Sequence, residues 1–191
     1  KIYTMTPTDA HFYFDDHDPA RPQIGQTFID HVREIGPPII CTHKGLSSIV
    51  RSSPELASPV DIGPAAARNP DVSFVVYHSG FEPSGQGVGP YDPADPNPQG
   101  VDRLIRSVTD AGLEPNANVY AELGGTWWFL MQDPSETAPH VLGKLLKYVG
   151  EDNVLWGTDC LFYGSPQPLI QAMRTFQISE ELRERYGYPK L

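Results

Sequence analysis

Val72-Ser-Phe-Val-Val-Tyr-His78 stands between the turn Asn69-Pro70-Asp71 and Gly80. The run is short, rich in β-branched and aromatic residues, and bounded by turn formers, so it reads as a buried strand. A strand apolar on both faces belongs in a sheet covered by helices. Upstream lies Ile39-Ile-Cys-Thr-His43, a run of the same kind behind Gly36-Pro37-Pro38. Downstream come Asn118-Val-Tyr-Ala-Glu-Leu123 and Asn153-Val-Leu-Trp-Gly-Thr-Asp159. Lys1-Ile-Tyr-Thr4 is a short strand candidate at the start of the chain.

Helical spacing fills the intervals. Ile24, Phe28, Val32 and Ile35 share one side of a helix. Ser58 before Pro59, with Asp61 in the first turn, starts a short helix that runs to Arg68. Leu104, Ile105 and Val108 mark an amphipathic helix over 101–111. Val141, Leu142, Leu145 and Leu146 mark another over 135–149, ended by Gly150. Thr126–Met131 starts a short helix, and segments 166–176 and 179–186 close the chain. Ser79 to Pro98 is a Gly- and Pro-rich loop of a length that is often functional. Strands and helices alternate, which predicts a parallel α/β sheet in one domain.

Composition narrows the class. Apolar residues form 39% of the chain, enough with 17 glycines for an ordinary globular core. The 20 prolines and 17 glycines together stay below the share that marks low-complexity chains. A net charge of −10 argues against a nucleic-acid or anionic membrane surface. No apolar run is long enough to span a bilayer, and no signal-peptide pattern opens the chain. The two cysteines, Cys41 and Cys160, form no C-x-x-C pair and fall on opposite parities, so neither a thiol-rich zinc site nor a bridge is expected. Reduced thiols point to the cytoplasm.

In parallel α/β proteins the chemistry sits beyond the carboxyl ends of the strands. Four such ends read Cys41-Thr-His43-Lys-Gly45, Tyr77-His78-Ser-Gly80, Ala121-Glu122-Leu-Gly124 and Gly157-Thr-Asp159. One histidine at a strand end is usually a hydrogen-bonded structural residue, and one aspartate there is often a helix cap. Two imidazoles and two carboxylates at equivalent places in successive units point instead to a metal or acid–base site.

His43-Lys-Gly45, Tyr77-His78-Ser-Gly80 and Leu155-Trp-Gly-Thr-Asp159 resemble strands five, six and eight of the amidohydrolase superfamily, in particular the amidohydrolase-2 group. That group holds metal-dependent hydrolases and decarboxylases similar to aminocarboxymuconate semialdehyde decarboxylase. The resemblance implies a (β/α)8 TIM barrel with one divalent metal, commonly zinc. It makes His43 and Asp159 metal ligands, with Asp159 also accepting a proton from metal-bound water, and His78 an acid–base residue beside the metal. The implied activity is hydrolysis or non-oxidative decarboxylation of a small-molecule substrate.

The family's His-x-His of strand one has no counterpart here. Counted back from the last strand, Lys1–Thr4 becomes strand four, so residues 1–191 are expected to be the carboxyl-terminal part of one barrel, strands four to eight. A missing amino-terminal part or a homo-oligomer is then expected to cover the inward faces, including Phe74, Val76 and Leu155. The alternatives are a non-catalytic scaffold of the same fold and a doubly wound binding domain, the latter disfavoured because no Gly-rich phosphate loop follows any strand.

Further residues carry weaker expectations. The stretch Asp9-Ala-His-Phe-Tyr-Phe-Asp-Asp-His-Asp18 reads as a solvated acidic loop, with a substrate lid as the sharper alternative. Trp127 and Trp128 are expected to pack on the missing half or a second subunit. Arg51, Tyr91 and Tyr163 are rim residues, His31 and His140 are structural or exposed, Glu122 lines the barrel, and Lys1 is an ordinary rim or core lysine.

Overall fold

A computed structural model describes residues 1–6, 10–49, 52–134 and 137–191. Asp9, Arg51 and the expected helix start at Ser135 lie outside the described residues. The architecture is mixed α/β. Four parallel strands, β1 (Ile39–His43), β2 (Ser73–Tyr77), β3 (Val119–Glu122) and β4 (Val154–Leu155), lie in chain order. The helices are α1 (Gly25–Ile35), α2 (Ile62–Arg68), α3 (Val101–Asp110), α4 (Thr126–Leu130), α5 (Thr137–Tyr148), α6 (Cys160–Tyr163), α7 (Gln167–Thr175) and α8 (Glu180–Tyr186). Among the described residues no helix is long and apolar enough to cross a membrane.

Side chains alternate across the strands, so each strand offers one face to the helices. Ile40 on β1, Phe74 and Val76 on β2, and Val119 and Ala121 on β3 are buried in the main core with Ile62, Ala65, Ala66, Leu104, Ile105 and Val108 of α2 and α3. Phe74 and Val76 therefore belong to the helix-facing side of the sheet, not to an inward barrel face as expected from sequence. A run with apolar residues on both faces hides its parity. The opposite face carries a ladder row of His43, Tyr77, Glu122 and Leu155, paired in that order.

Two strand expectations change. Lys1–Thr4 contributes only one parallel bridge, Ile2 to Thr42. The Ile2 amide donates to the Cys41 carbonyl at 2.7 Å, and the His43 amide donates to the Ile2 carbonyl at 3.1 Å. The chain then bends, because Met5 is buried with Tyr13, Leu56 and Ala57. β4 stops at Leu155, so Trp156–Asp159 is irregular and leads into the unexpected turn of helix α6.

Buried polar contacts fasten the loops. Lys44 and Asp61 are both fully buried, 2.9 Å apart. Lys44 Nζ also donates to the Leu56 carbonyl at 2.9 Å, and Asp61 accepts from the Phe14 amide at 2.9 Å. On α5, buried Lys144 donates to the carbonyls of Gly87 and Gly89, at 2.6 and 2.7 Å, and to Asp102 at 2.6 Å. This ties the long loop after β2 to the helix layer. The acidic stretch is not simply solvated. Phe12 and Phe14 enter the main core, and Asp16 caps α1 by accepting from the Gly25 and Gln26 amides at 2.8 and 3.0 Å.

Candidate active site

The strand ends of β1 and β2 deliver two imidazoles to each other. His43 closes β1, and its parity aims it at the face opposite the helices. His78 follows β2, where straight continuation would send it to the other face. His78, Ser79 and Gly80 instead have φ of 68°, 52° and 74°. Two consecutive non-glycine residues in the left-handed region are strained, by about 1–3 kcal/mol each, a cost that clusters at functional sites. The turn swings His78 onto His43. The rings meet edge to face with centroids 4.4 Å apart, and His78 Nε2 stands 3.1 Å from His43 Nδ1.

The hydrogen-bond network assigns the tautomers. His78 Nδ1 is 2.5 Å from the Gly124 carbonyl, which only accepts, so Nδ1 carries the proton. In the neutral ring, Nε2 then offers a lone pair. His43 Nδ1 donates to it, and Lys1 Nζ approaches it at 3.4 Å. His43 Nε2 is left as a bare lone pair, buried and without a hydrogen-bond partner among the described residues.

Both rings are held neutral. Burial pushes the His43 pKa down to about 3, helped by His78, Lys1 and Lys44 and opposed by the Gly45 backbone. Burial also lowers the His78 pKa, and Lys1 adds to this, while the Gly124 carbonyl and Asp159 act the other way.

Carboxylates complete the rim. Glu122 accepts from the Gly124 amide at 2.8 Å, and burial, opposed by that hydrogen bond, raises its pKa. Asp159 sits in the left-handed region, φ 53°, at the N-cap position of α6, yet its side chain makes no capping hydrogen bond. Its charge acts on His78, Glu122, Tyr77 and Tyr163. The structure thus brings His43 and His78 into contact and sets Asp159 within electrostatic reach of His78.

A divalent metal can be tested against these donors. The unpartnered His43 Nε2, in a ring that stays neutral, fits a ligand nitrogen. The uncapped Asp159 carboxylate supplies the charge such a site uses. Among the described residues, however, no three His, Cys, Asp or Glu side chains gather closely enough to hold a metal ion.

Lys1, expected as an ordinary rim or core lysine, is exposed at the rim. Its ammonium lies 4.5 Å from the Tyr77 ring centre, beside the two histidines. Tyr163 stacks on Trp128, at 5.0 Å, near the same rim. Trp127 is fully buried within this chain, donating to the Leu169 carbonyl at 3.1 Å, so it needs no second subunit. Tyr91 is occupied by Arg106 Nε at 3.0 Å. His31 is exposed, and His140 pairs with the Tyr188 hydroxyl at 3.1 Å.

The family model described as amidohydrolase matches residues 54–188. That stretch covers more than two thirds of the chain and includes His78 and Asp159, while His43 precedes it. The chain belongs to the amidohydrolase family, in its amidohydrolase-2 group, a family of metal-dependent hydrolases and decarboxylases. No match to a curated protein or to a solved structure was found.

Proposed function

We propose that this chain supplies the carboxyl-terminal part of a (β/α)8 barrel enzyme, a metal-dependent hydrolase or a non-oxidative decarboxylase acting on a small molecule. The observation that carries the reading is the His43–His78 contact at the strand ends, which leaves a buried, unpartnered nitrogen on His43. In this reading His43 and Asp159 hold a divalent metal, zinc being the expected ion. Bound metal would supply Lewis acidity and an acidified water. His78, kept neutral by burial and oriented by the Gly124 carbonyl, moves a proton at Nε2. Asp159 accepts a proton at its carboxylate. Further metal donors and the remaining strands would come from outside these residues, from an amino-terminal part or from another copy of the chain. A cytoplasmic setting fits the two free thiols.

Metal content and turnover of the whole protein test this. His43→Ala should lose metal and activity together. His78→Ala should keep most of the metal and lose roughly 10²–10⁴ in rate, the usual worth of a positioned acid or base. If His78→Ala strips the metal as thoroughly as His43→Ala, His78 is a ligand. Parent protein with neither metal nor turnover, even when supplied with zinc, would favour the non-catalytic scaffold reading.

A further inference from the structure

Glu122 closes β3 on the same sheet face as His43 and Tyr77. Its carboxylate touches three strand ends. Oε1 accepts from the Gly124 amide at 2.8 Å, and Oε2 makes a longer contact of 3.4 Å with the His78 amide. At the β4 end, a Cβ on residue 157 would stand 2.0 Å from Oε1, so only glycine leaves room for the carboxylate. Gly124, gripped at its amide, turns its carbonyl onto His78 Nδ1 at 2.5 Å. The chain of contacts continues from His78 Nε2 to His43 Nδ1 at 3.1 Å and ends at the bare His43 Nε2.

We propose that Glu122 is a positioning residue that fixes the tautomers of both histidines by clamping Gly124 against Gly157. Without the clamp, the 124 carbonyl is free to rotate away from His78. The Nδ1 proton then loses its acceptor, and the free imidazole preference for a proton on Nε2 returns. A proton on His78 Nε2 would face the proton on His43 Nδ1, so the second ring must also change: its proton would move to Nε2, and Nδ1 would accept from His78. One carboxylate thus decides which nitrogen of His43 carries the proton, three hydrogen bonds away along the chain. Carboxylates and carbonyls that accept from the other nitrogen of a ligating imidazole set its tautomer by the same logic. The proposal rests on reading the two histidines as the working site.

Imidazole nitrogen NMR of the whole protein, without added metal or substrate and at about pH 8, tests it. In the parent, both His78 and His43 should show the Nδ1–H form. Glu122→Gln keeps an oxygen for the Gly124 amide and should keep that pattern. Glu122→Ala should convert His78 to a mixture rich in Nε2–H and shift the His43 nitrogens with it. If Glu122→Ala does not fold, Gly157→Ala decides, because its methyl displaces the carboxylate without removing it and should give the same mixture. Parent tautomers in folded Glu122→Ala, or in Gly157→Ala, would overturn the proposal, as would loss of the pattern in Glu122→Gln. Because no metal or turnover enters the readout, failure here leaves the enzymatic reading standing, and an inert protein leaves this one standing.

Discussion

His43 and His78 share one hydrogen bond, Nδ1 to Nε2 at 3.1 Å, in a pocket where both rings are almost wholly buried. The contact requires His78 to stay neutral, and burial keeps both rings so. The unfolded chain takes up protons near pH 6.5 that folded His43 refuses until about pH 3. The stabilising effect is therefore full above about pH 6.5 and is lost as pH falls towards 3. For the metal-free protein we expect unfolding free energy to drop by several kcal/mol across that window, with His78 adding in the same direction. Urea unfolding at pH 7, 5 and 4 checks this, and His43→Phe should flatten the slope.

Lys44 follows His43 directly, and its buried pair with Asp61 fixes the turn beyond β1. Removing one partner leaves a buried charge alone. Asp61→Ala should cost about 3–5 kcal/mol. The double change Lys44→Met with Asp61→Leu should recover a large part of that loss. Chemical denaturation of the parent and the two variants measures both figures, and a double mutant as weak as the single would contradict the account.

Helices α2 and α3 touch at Gly63, whose amide donates to Ser107 Oγ at 2.8 Å. A Cβ at residue 63 would fall 1.9 Å from the Ser107 carbonyl oxygen, a backbone atom that cannot step aside. Gly63→Ala should destabilise by at least about 1–3 kcal/mol. Gly36 has open space around it and extended backbone, so Gly36→Ala should stay within about 0.5 kcal/mol. Thermal melts of the pair give the comparison.

Asp16 lies outside α1 in sequence yet accepts from its first two amides. Asp16→Ala should cost about 0.5–2 kcal/mol, the range for a lost cap. Asp16→Asn keeps an oxygen for only one of the two amides and should fall between the parent and Asp16→Ala. Hydrogen exchange at Gly25 and Gln26 should rise first, ahead of the rest of the protein.

The parts of this fold that were legible are those with local signals. Ile39–His43 and Ser73–Tyr77 are compact apolar runs between turn residues, and α1, α3 and α5 carry clear helical spacing. The strand-end positions of His43 and His78 followed from the same runs. What local patterns could not carry was the handedness of the turn at His78–Gly80, since Ser79 is not a residue that announces positive φ and a histidine adopts it only occasionally. The last strand was legible but not its early end at Leu155, beyond which Gly157 lies against the Glu122 carboxylate of β3, 35 positions earlier in the chain. Lys1 looked ordinary because the aromatic ring and imidazole it meets belong to β2 and its turn. The role of Asp16 was hidden in an acidic cluster whose neighbours look alike in sequence but face different partners.

The grip of Lys144 on Gly87 and Gly89 has a practical side. A loop this long, rich in glycine and proline, would ordinarily be an inviting place to cut with a protease or to splice in a tag. Here its middle is moored to α5 by an ammonium group with no exposure to water. Cleavage or insertion there would have to dislodge a buried charge, whereas residues 92–94, on the far side of the mooring, are exposed. Grafts and fluorescent labels belong at that tip, and nicking at residues 87–89 should be slow until the helix layer itself opens.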